Sequence, residues 1–146
     1  PGDKQLISIE HLIQVDIDLA SKMNDSSYQK EAIELLNKVI SNHWDNYKTY
    51  DNLVILNEKL GNYSQVNKYL NYMKKTYGDD YNINKRHAFL EIDLQKEKSN
   101  EERDYKLFYV YYKKAKELYE KEEQNDSEMQ LLDDVYHQVE KGGWLE

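Results

Sequence analysis

Cysteine is absent from the chain, proline occurs once and glycine only 5 times among 146 residues. Without cysteine, the chain can form no disulfide and has no thiolate for catalysis. Proline and glycine disfavour the interior of an α-helix more than other residues do, so their scarcity after Pro1 favours helix along the whole chain. No apolar run approaches the roughly 18 residues of a membrane-spanning helix, so no membrane span is expected in this fragment.

Basic residues are outnumbered, with 20 Lys and Arg against 28 Asp and Glu, and the net charge is −8. Binding to nucleic acid or to anionic lipid needs clustered positive charge, so neither is expected as a partner. Residues 117–134 contain eight acidic residues and one lysine. We interpret this excess as a solvated face, with an acidic docking site as the alternative.

The apolar residues recur with a period of 34 residues, which indicates a repeat of paired helices. Apolar residues at helical spacing stand on both sides of Leu60-Gly61-Asn62-Tyr63, so two amphipathic helices flank a tight turn at Gly61. A third unit follows the same pattern after an insertion of eight residues. The corresponding apolar positions in the second helix of each unit are Ala32, Leu35, Leu36 and Val39; Val66, Tyr69, Leu70 and Met73; and Phe108, Tyr111, Tyr112 and Ala115.

The apolar stripes and turn residues predict seven helices and an all-α fold. The predicted helices are residues 8–24, 27–43, 47–60, 63–77, 81–98, 102–123 and 127–141. Because one pair cannot bury its own apolar face, we expect a right-handed α-α superhelix of about three helix pairs with a C-terminal capping helix. The expected organisation is a tag remnant or linker at 1–7 and a single domain at 8–146, with repeats at about 13–46, 47–80 and 81–118, an insertion at 95–103 and the cap at 127–141.

A helix-turn-helix period of this length resembles the tetratricopeptide repeat family, and residues 47–80 carry the closest match. Gly78 replaces the family's proline, while Val66 and Phe108 are larger than its alanine, so the resemblance implies an irregular superhelix. The residues at motif positions are Tyr50, Leu53, Val54, Tyr63, Val66, Leu70 and Met73.

The resemblance implies that the first helices of successive pairs line a concave groove that binds a peptide or a partner helix. Asn52 and Arg86 fall at two positions of a clamp with which some relatives hold a terminal carboxylate, but Ile17, Ser21 and Asn82 do not match it. A carboxylate clamp is therefore not expected, and ordinary solvated helix surface is the alternative for Asn52 and Arg86. The predicted partner-binding residues are Lys48, Asn52, Ile55, Lys59, Lys85, Arg86 and Phe89.

A narrower resemblance concerns the C-terminal part of the chain. Arg103-Asp104-Tyr105, the aromatic helix after it and the closing Gly142-Gly143-Trp144-Leu145 look like the tetratricopeptide-like C-terminal region of bacterial serine/threonine kinases of the Firmicutes type. The chain has no kinase motif, so the catalytic domain implied by this resemblance would lie outside it.

No residue pattern indicates catalysis or metal binding. His87 and Glu91 are four residues apart, as are Asp133 and His137, but two ligands do not make a metal site. We expect His87 to be packed at the contact of a helix pair. Asp16 and Asp18 point in different directions on a helix, which disfavours acid/base pairing between them. The fragment is expected to have no enzymatic activity and to need no cofactor.

We therefore expect a non-catalytic protein-protein interaction scaffold, cytoplasmic, and a docking or regulatory module of a larger protein. One alternative is homo-oligomerisation through the aromatic helix 102–123 or through Trp144, unless Trp144 folds back onto the last helices. A second alternative is a small-ligand sensor at the insertion 95–103, unless that segment only extends two solvated helices.

Overall fold

The computed structural model describes residues 2–23, 25–122 and 125–145. In this part of the chain there are seven α-helices, one short 3-10 helix (η1) and no strand, so the predicted all-α class is confirmed. Most of the close contacts between helices join helices that are consecutive in the chain. Their bounds are α1 Gly2–Lys22, α2 Ser26–Ser41, α3 Tyr47–Leu60, α4 Tyr63–Tyr77, α5 Tyr81–Lys96, η1 Asn100–Glu102, α6 Lys106–Lys121 and α7 Ser127–Lys141.

Two helices begin several residues away from their predicted starts. α1 begins at Gly2 instead of residue 8, and residues 3–22 contain no glycine or proline that would interrupt it. α6 begins at Lys106 instead of residue 102, since Asp104 accepts a hydrogen bond from the backbone N–H of Lys106 at 3.0 Å and so helps to start the helix there. The tag remnant or linker expected at residues 1–7 stays a prediction.

Polar side chains and one glycine set the helix ends. The run Asn24-Asp25-Ser26-Ser27 predicts a turn in which the serines cap the next helix, but it is Asp25 that caps α2, by accepting from the N–H of Ser27. Asn24, which belonged to the same predicted turn, lies outside the described residues. At the end of α3, Gly61 has a φ of 76°, and its N–H bonds to carbonyls of the last turn, as predicted.

The structure divides into two compact units, Pro1–Tyr69 and Leu70–Glu146. In the first unit α2 packs against both α1 and α3, and the ring of Tyr69 contacts that of Tyr50 at a centroid distance of 6.1 Å. The buried apolar side chains of this unit come from all four helical segments. They are Ile13, Ala32, Leu36, Val39, Tyr50, Leu53, Val54, Leu56 and Val66.

The second unit is built on α5, α6 and α7, with an aromatic core. α6 packs against α5 and α7, and α7 also contacts α5. Phe108 is fully buried and stacks on Tyr112, which in turn stacks on Tyr136 of α7 at 4.6 Å. The Tyr112 hydroxyl donates to Asp133 at 2.6 Å, so this buried phenol has the partner that burial demands.

Trp144 packs inside the second unit. Its ring contacts that of Tyr105 edge to face, with centroids 5.4 Å apart. The side chain is partly buried and packs against the core of this unit. The sequence left two alternatives for this residue, and the structure selects the one in which it folds back onto the last helices. Self-association through a free Trp144 therefore has no support.

The insertion 95–103 forms a closed connection instead of extending two helices. The buried Gln95 side chain accepts a hydrogen bond from the N–H of Asp104 at 2.8 Å. The Arg103 guanidinium donates to the carbonyls of Lys96 and Lys98 at 3.1 and 3.0 Å. The bonds from Arg103 satisfy one carbonyl at the end of α5 and one just beyond it, so the segment has a structural role.

Candidate functional site

A small cleft in the first unit brings together two of the predicted binding residues. Lys48 and Asn52 of α3 face Glu10 and Gln14 of α1 across a cavity of about 80 Å³. The residues that line it are Glu10, Ile13, Gln14, Leu36, Val39, Asn46, Lys48, Thr49 and Asn52.

The floor of the cleft is apolar and belongs to the core. Ile13 of α1 and Leu36 and Val39 of α2 are each at most 4% exposed. Because these side chains are held by the packing of α1 against α2, the depth of the cavity is fixed by the fold.

One end of the cleft is closed by the start of α3. Asn46 caps this helix by accepting from the N–H of Thr49, and the Thr49 hydroxyl accepts from the N–H of Asn46. This reciprocal pair is a capping box. It fixes the direction in which α3 starts, and thereby the positions of Lys48 and Asn52 on its first two turns.

The rim of the cleft carries polar groups that the fold itself does not use. Glu10 and Lys48 are exposed, and Asn52 is half-buried. Within the described residues, none of these three side chains takes part in a hydrogen bond or an ion pair. A carboxylate, an ammonium group and an amide are thus available around a cavity with an apolar floor.

The two other predicted residues of α3 lie away from this cleft. Ile55 is half-buried, and Lys59 is exposed beside the α3–α4 turn, where it lines a wider, shallow depression with Lys30 and Asn62. The structure therefore places only the first two turns of α3 at the cavity.

In the second unit, both predicted cations bind α7. The Lys85 ammonium lies 2.8 Å from Asp126 and 3.1 Å from Glu128. The Arg86 guanidinium donates two hydrogen bonds to Glu128, at 2.8 and 3.2 Å, and also lies over the ring of Phe89. These groups hold α7 against α5, so a partner of this surface would have to compete with Glu128.

By the family pattern, Ile17, Asp18 and Ser21 of the first repeat would also face the groove, but none of them lines the cleft. Asp18 accepts a hydrogen bond from Gln14 at 3.0 Å, and Ser21 donates to the Ile17 carbonyl of its own helix. Sequence reasoning missed Glu10 and Gln14 instead. The repeat period identifies equivalent positions on successive helices, whereas the pairing across the cleft depends on how far α1 is shifted along its axis relative to α3.

Two buried titratable residues, His87 and Asp16, do not line the cleft. His87 is buried, and burial, with the nearby Lys74 ammonium, lowers its pKa to about 4. Its expected packing at a helix-pair contact is confirmed by the ring of Tyr111, which stacks on it. Asp16 is buried between α1 and α2, where burial and the Glu31 carboxylate raise its pKa. Among the described residues, no three His, Cys, Asp or Glu side chains are grouped to hold a metal ion.

Comparisons with known proteins leave the chain without an assigned family. It matches no family model, and it is not significantly similar to any curated protein or solved structure. The described helices nevertheless form a repeat-like arrangement of seven α-helices that is compatible with a tetratricopeptide-like fold. None of the described helices is both long and apolar enough to cross a membrane.

Proposed function

We propose that this chain is a non-catalytic protein-interaction module and that the α1–α3 cleft of its first unit binds a peptide segment of a partner. The observation that carries the proposal is the rim of the cleft, where Glu10, Lys48 and Asn52 have no partner among the described residues. Polar groups beside an apolar recess are the usual composition of a recognition site.

A peptide suits this rim better than a small polar metabolite does. An extended peptide has a backbone N–H and C=O at each residue, and a primary amide such as that of Asn52 can accept from one and donate to the other. The adjacent apolar floor is suited to a side chain of the same segment. A cavity of about 80 Å³ is far smaller than the 300–1,000 Å³ typical of a cofactor or drug-sized ligand.

The second unit is a weaker candidate for partner binding. Lys85 is about 9% exposed at its side chain, and its ammonium is already bound to two carboxylates of α7. A partner that used Lys85, Arg86 and Phe89 would have to replace these ion pairs, which costs the desolvation of both charged groups. The groove predicted across both sets of residues stays a prediction.

A peptide selection followed by calorimetry tests the function. Peptides selected from a random library on the whole chain are expected to bind the α1–α3 cleft, and Asn52→Ala or Lys48→Ala should weaken their binding about tenfold, as for loss of one hydrogen bond or charge contact. Asn67→Ala is the matched control, because Asn67 is an exposed amide on α4 outside the cleft. The proposal is wrong if selected peptides bind both cleft variants as tightly as the unmodified chain.

Arg86 is another predicted binding residue that could be substituted together with Asn52, but Lys48 gives a clearer result in this test. An Asn52→Ala/Arg86→Glu double variant would also break the bonds from Arg86 to Glu128 and loosen α7. Loss of binding in that variant would not distinguish contact with a partner from damage to the fold, whereas Lys48 has no such structural bond.

Self-association is the second candidate function. α6 presents Leu107 and Val110, which are 48% and 54% exposed and lie one turn apart on the predicted aromatic helix. Two exposed aliphatic side chains favour an apolar contact but form a small patch. Sedimentation velocity up to millimolar concentration tests this candidate, and a monomer throughout would exclude it.

The parent protein belongs to the same proposal. The resemblance of the C-terminal part to the tail of bacterial serine/threonine kinases supports a docking or regulatory module in a larger cytoplasmic protein of that kind. The sequence of the complete gene tests this directly, because a kinase domain elsewhere in the reading frame is the expected result.

A further inference from the structure

We infer that the α1–α3 cleft recognises one small aliphatic side chain, of about the size of valine, with a basic residue on one side of it and an acidic residue on the other. This inference rests on the proposed function and specifies its ligand. It depends on three features of the cleft: its volume, its apolar floor and the opposite charges on its two walls.

The volume limits the side chain that can enter. A cavity of about 150 Å³ lined by aliphatic side chains accommodates benzene, whereas the cavity here measures about 80 Å³. Roughly three or four carbon atoms fit into such a space, so we expect an isopropyl group to enter it more completely than a phenyl ring. Glycine would leave the cavity empty.

The floor gives the side chain its binding free energy. Ile13, Leu36 and Val39 offer only carbon atoms at the base of the cavity, and each is nearly inaccessible to solvent. Transfer of three aliphatic carbons from water to such a surface favours binding in proportion to the area removed from water. We therefore expect valine to bind at least about tenfold more tightly than glycine in the same peptide.

The walls give the flanking preference. Glu10 lines the cavity from α1 and Lys48 lines it from α3. A peptide with one basic and one acidic neighbour of the valine can therefore place each charge next to its opposite. Asn52 also lines the cavity from α3, so its side-chain amide can form hydrogen bonds with the backbone of the bound peptide. The preference should weaken as salt concentration rises, since both charges are exposed.

The first experiment titrates four blocked peptides into the 15N-labelled whole chain: acetyl-Lys-Val-Asp-amide, the same peptide with the reversed order Asp-Val-Lys, and the Lys-Gly-Asp and Lys-Phe-Asp analogues. We expect saturable shifts of the Asn52 and Gln14 side-chain amides with one of the two valine peptides, and an affinity at least tenfold lower for the glycine and phenylalanine analogues. Equal affinities for all four peptides, or shifts that avoid the cleft, would overturn the inference.

The second experiment exchanges the two charges. In a Glu10→Lys/Lys48→Glu double variant the net charge is unchanged, and both side chains are exposed, so the fold should persist and can be checked by circular dichroism. We expect the preferred order of the flanking residues to reverse, with a change of about three- to tenfold in the ratio of the two affinities. An unchanged preference for the order of the flanking residues would show that Glu10 and Lys48 do not contact the charges of the peptide.

The outcomes separate this inference from the proposed function. If peptides selected from the library lose affinity in Asn52→Ala but show no preference for valine, the cleft binds partners and the aliphatic anchor is wrong. If the selected peptides are insensitive to every substitution in the cleft, both the anchor and the proposed function of this site are wrong.

Discussion

The imidazole of His87 and the phenol ring of Tyr111 lie face to face, with centroids 4.4 Å apart and an angle of 10° between their planes. The stack joins α5 to α6 and covers one face of the imidazole, and burial together with the nearby Lys74 ammonium lowers the pKa of His87 to about 4. The neutral ring is therefore the form that the folded second unit accepts.

Stability should decrease on mild acidification because of His87. Its pKa is lower in the folded chain, about 4, than in the unfolded chain, about 6.5, so the unfolded chain binds more protons between these values. The free energy of unfolding is thus highest above pH 6.5 and falls as the pH drops towards 4. We expect a loss on the order of 1 kcal/mol between pH 7 and pH 5, measured by urea denaturation.

His87→Gln is the comparison that isolates this contribution. Glu91 is also buried and has a raised pKa, which favours the folded state at low pH and so acts in the opposite direction. The difference between the two chains removes the contribution of Glu91. A difference that does not change between pH 7 and pH 5 would contradict the assignment to His87.

Removal of the Glu128 carboxylate should loosen α7. Glu128→Ala leaves Lys85 with one carboxylate and Arg86 without its two hydrogen bonds to this residue, and we expect a loss of about 1–2 kcal/mol in unfolding free energy. A double-mutant cycle with Arg86→Ala should give a coupling energy of about 1 kcal/mol. Glu117→Ala, an exposed glutamate of α6, is the control and should have little effect.

Truncation of the central aromatic ring should be the most destabilising change in α6. Phe108 is fully buried against Tyr105 and Tyr112, so Phe108→Ala removes a large apolar surface and leaves a cavity, at a cost of about 3–5 kcal/mol. Val110→Ala on the same helix is 54% exposed and should cost less than about 0.5 kcal/mol. Similar melting temperatures for the two variants would contradict the placement of the core.

Gly61→Ala should destabilise the turn between α3 and α4 through the backbone alone. The φ of Gly61 is +76°, which is unfavourable for alanine, but a Cβ there would meet no atom within 4 Å. We expect a loss of about 1 kcal/mol by thermal denaturation. Gly61→Asn should cost less, because asparagine tolerates the left-handed region better than alanine does. Equal losses for the two variants would indicate a steric cause.

The repeat period predicted the buried positions of the second helices well. Ala32, Val66 and Phe108 are all fully buried, and the last two positions of each stripe are buried as well, whereas Leu35, Tyr69 and Tyr111 are only half-buried. The period carries this information because each second helix buries one stripe, and that stripe needs apolar residues at fixed intervals. The insertion before Phe108 shifts the third stripe without changing its spacing.

The contacts of α7 with α5 could not be predicted from the repeat period. Lys85 and Arg86 were predicted as groove residues because their positions on the repeat face outward, and nothing in their local sequence announces Asp126 or Glu128 some forty positions later. Charged residues on a helix face look the same in sequence whether they bind a partner, water or another helix of the same chain.

Only some of the residues that line the cleft were predicted from the sequence. Lys48 and Asn52 were found because α3 has the closest match to the repeat motif, whereas Glu10 and Gln14 stand where α1 was expected to be only beginning. An earlier start of α1 changes which of its turns lies opposite α3. A sequence pattern gives the face of a helix reliably, but the axial shift between two helices depends on the detailed fit of their side chains.

The folded-back Trp144 has a practical consequence for optical spectroscopy. The chain has only two indole rings, Trp44 in the first compact unit and Trp144 in the second. Replacement of either one by phenylalanine leaves a single indole, so its fluorescence, excited selectively over that of the tyrosines, follows the melting of one unit at a time. Coincident or separate transitions in the two recordings would then tell whether the chain loses its structure in one step or in two.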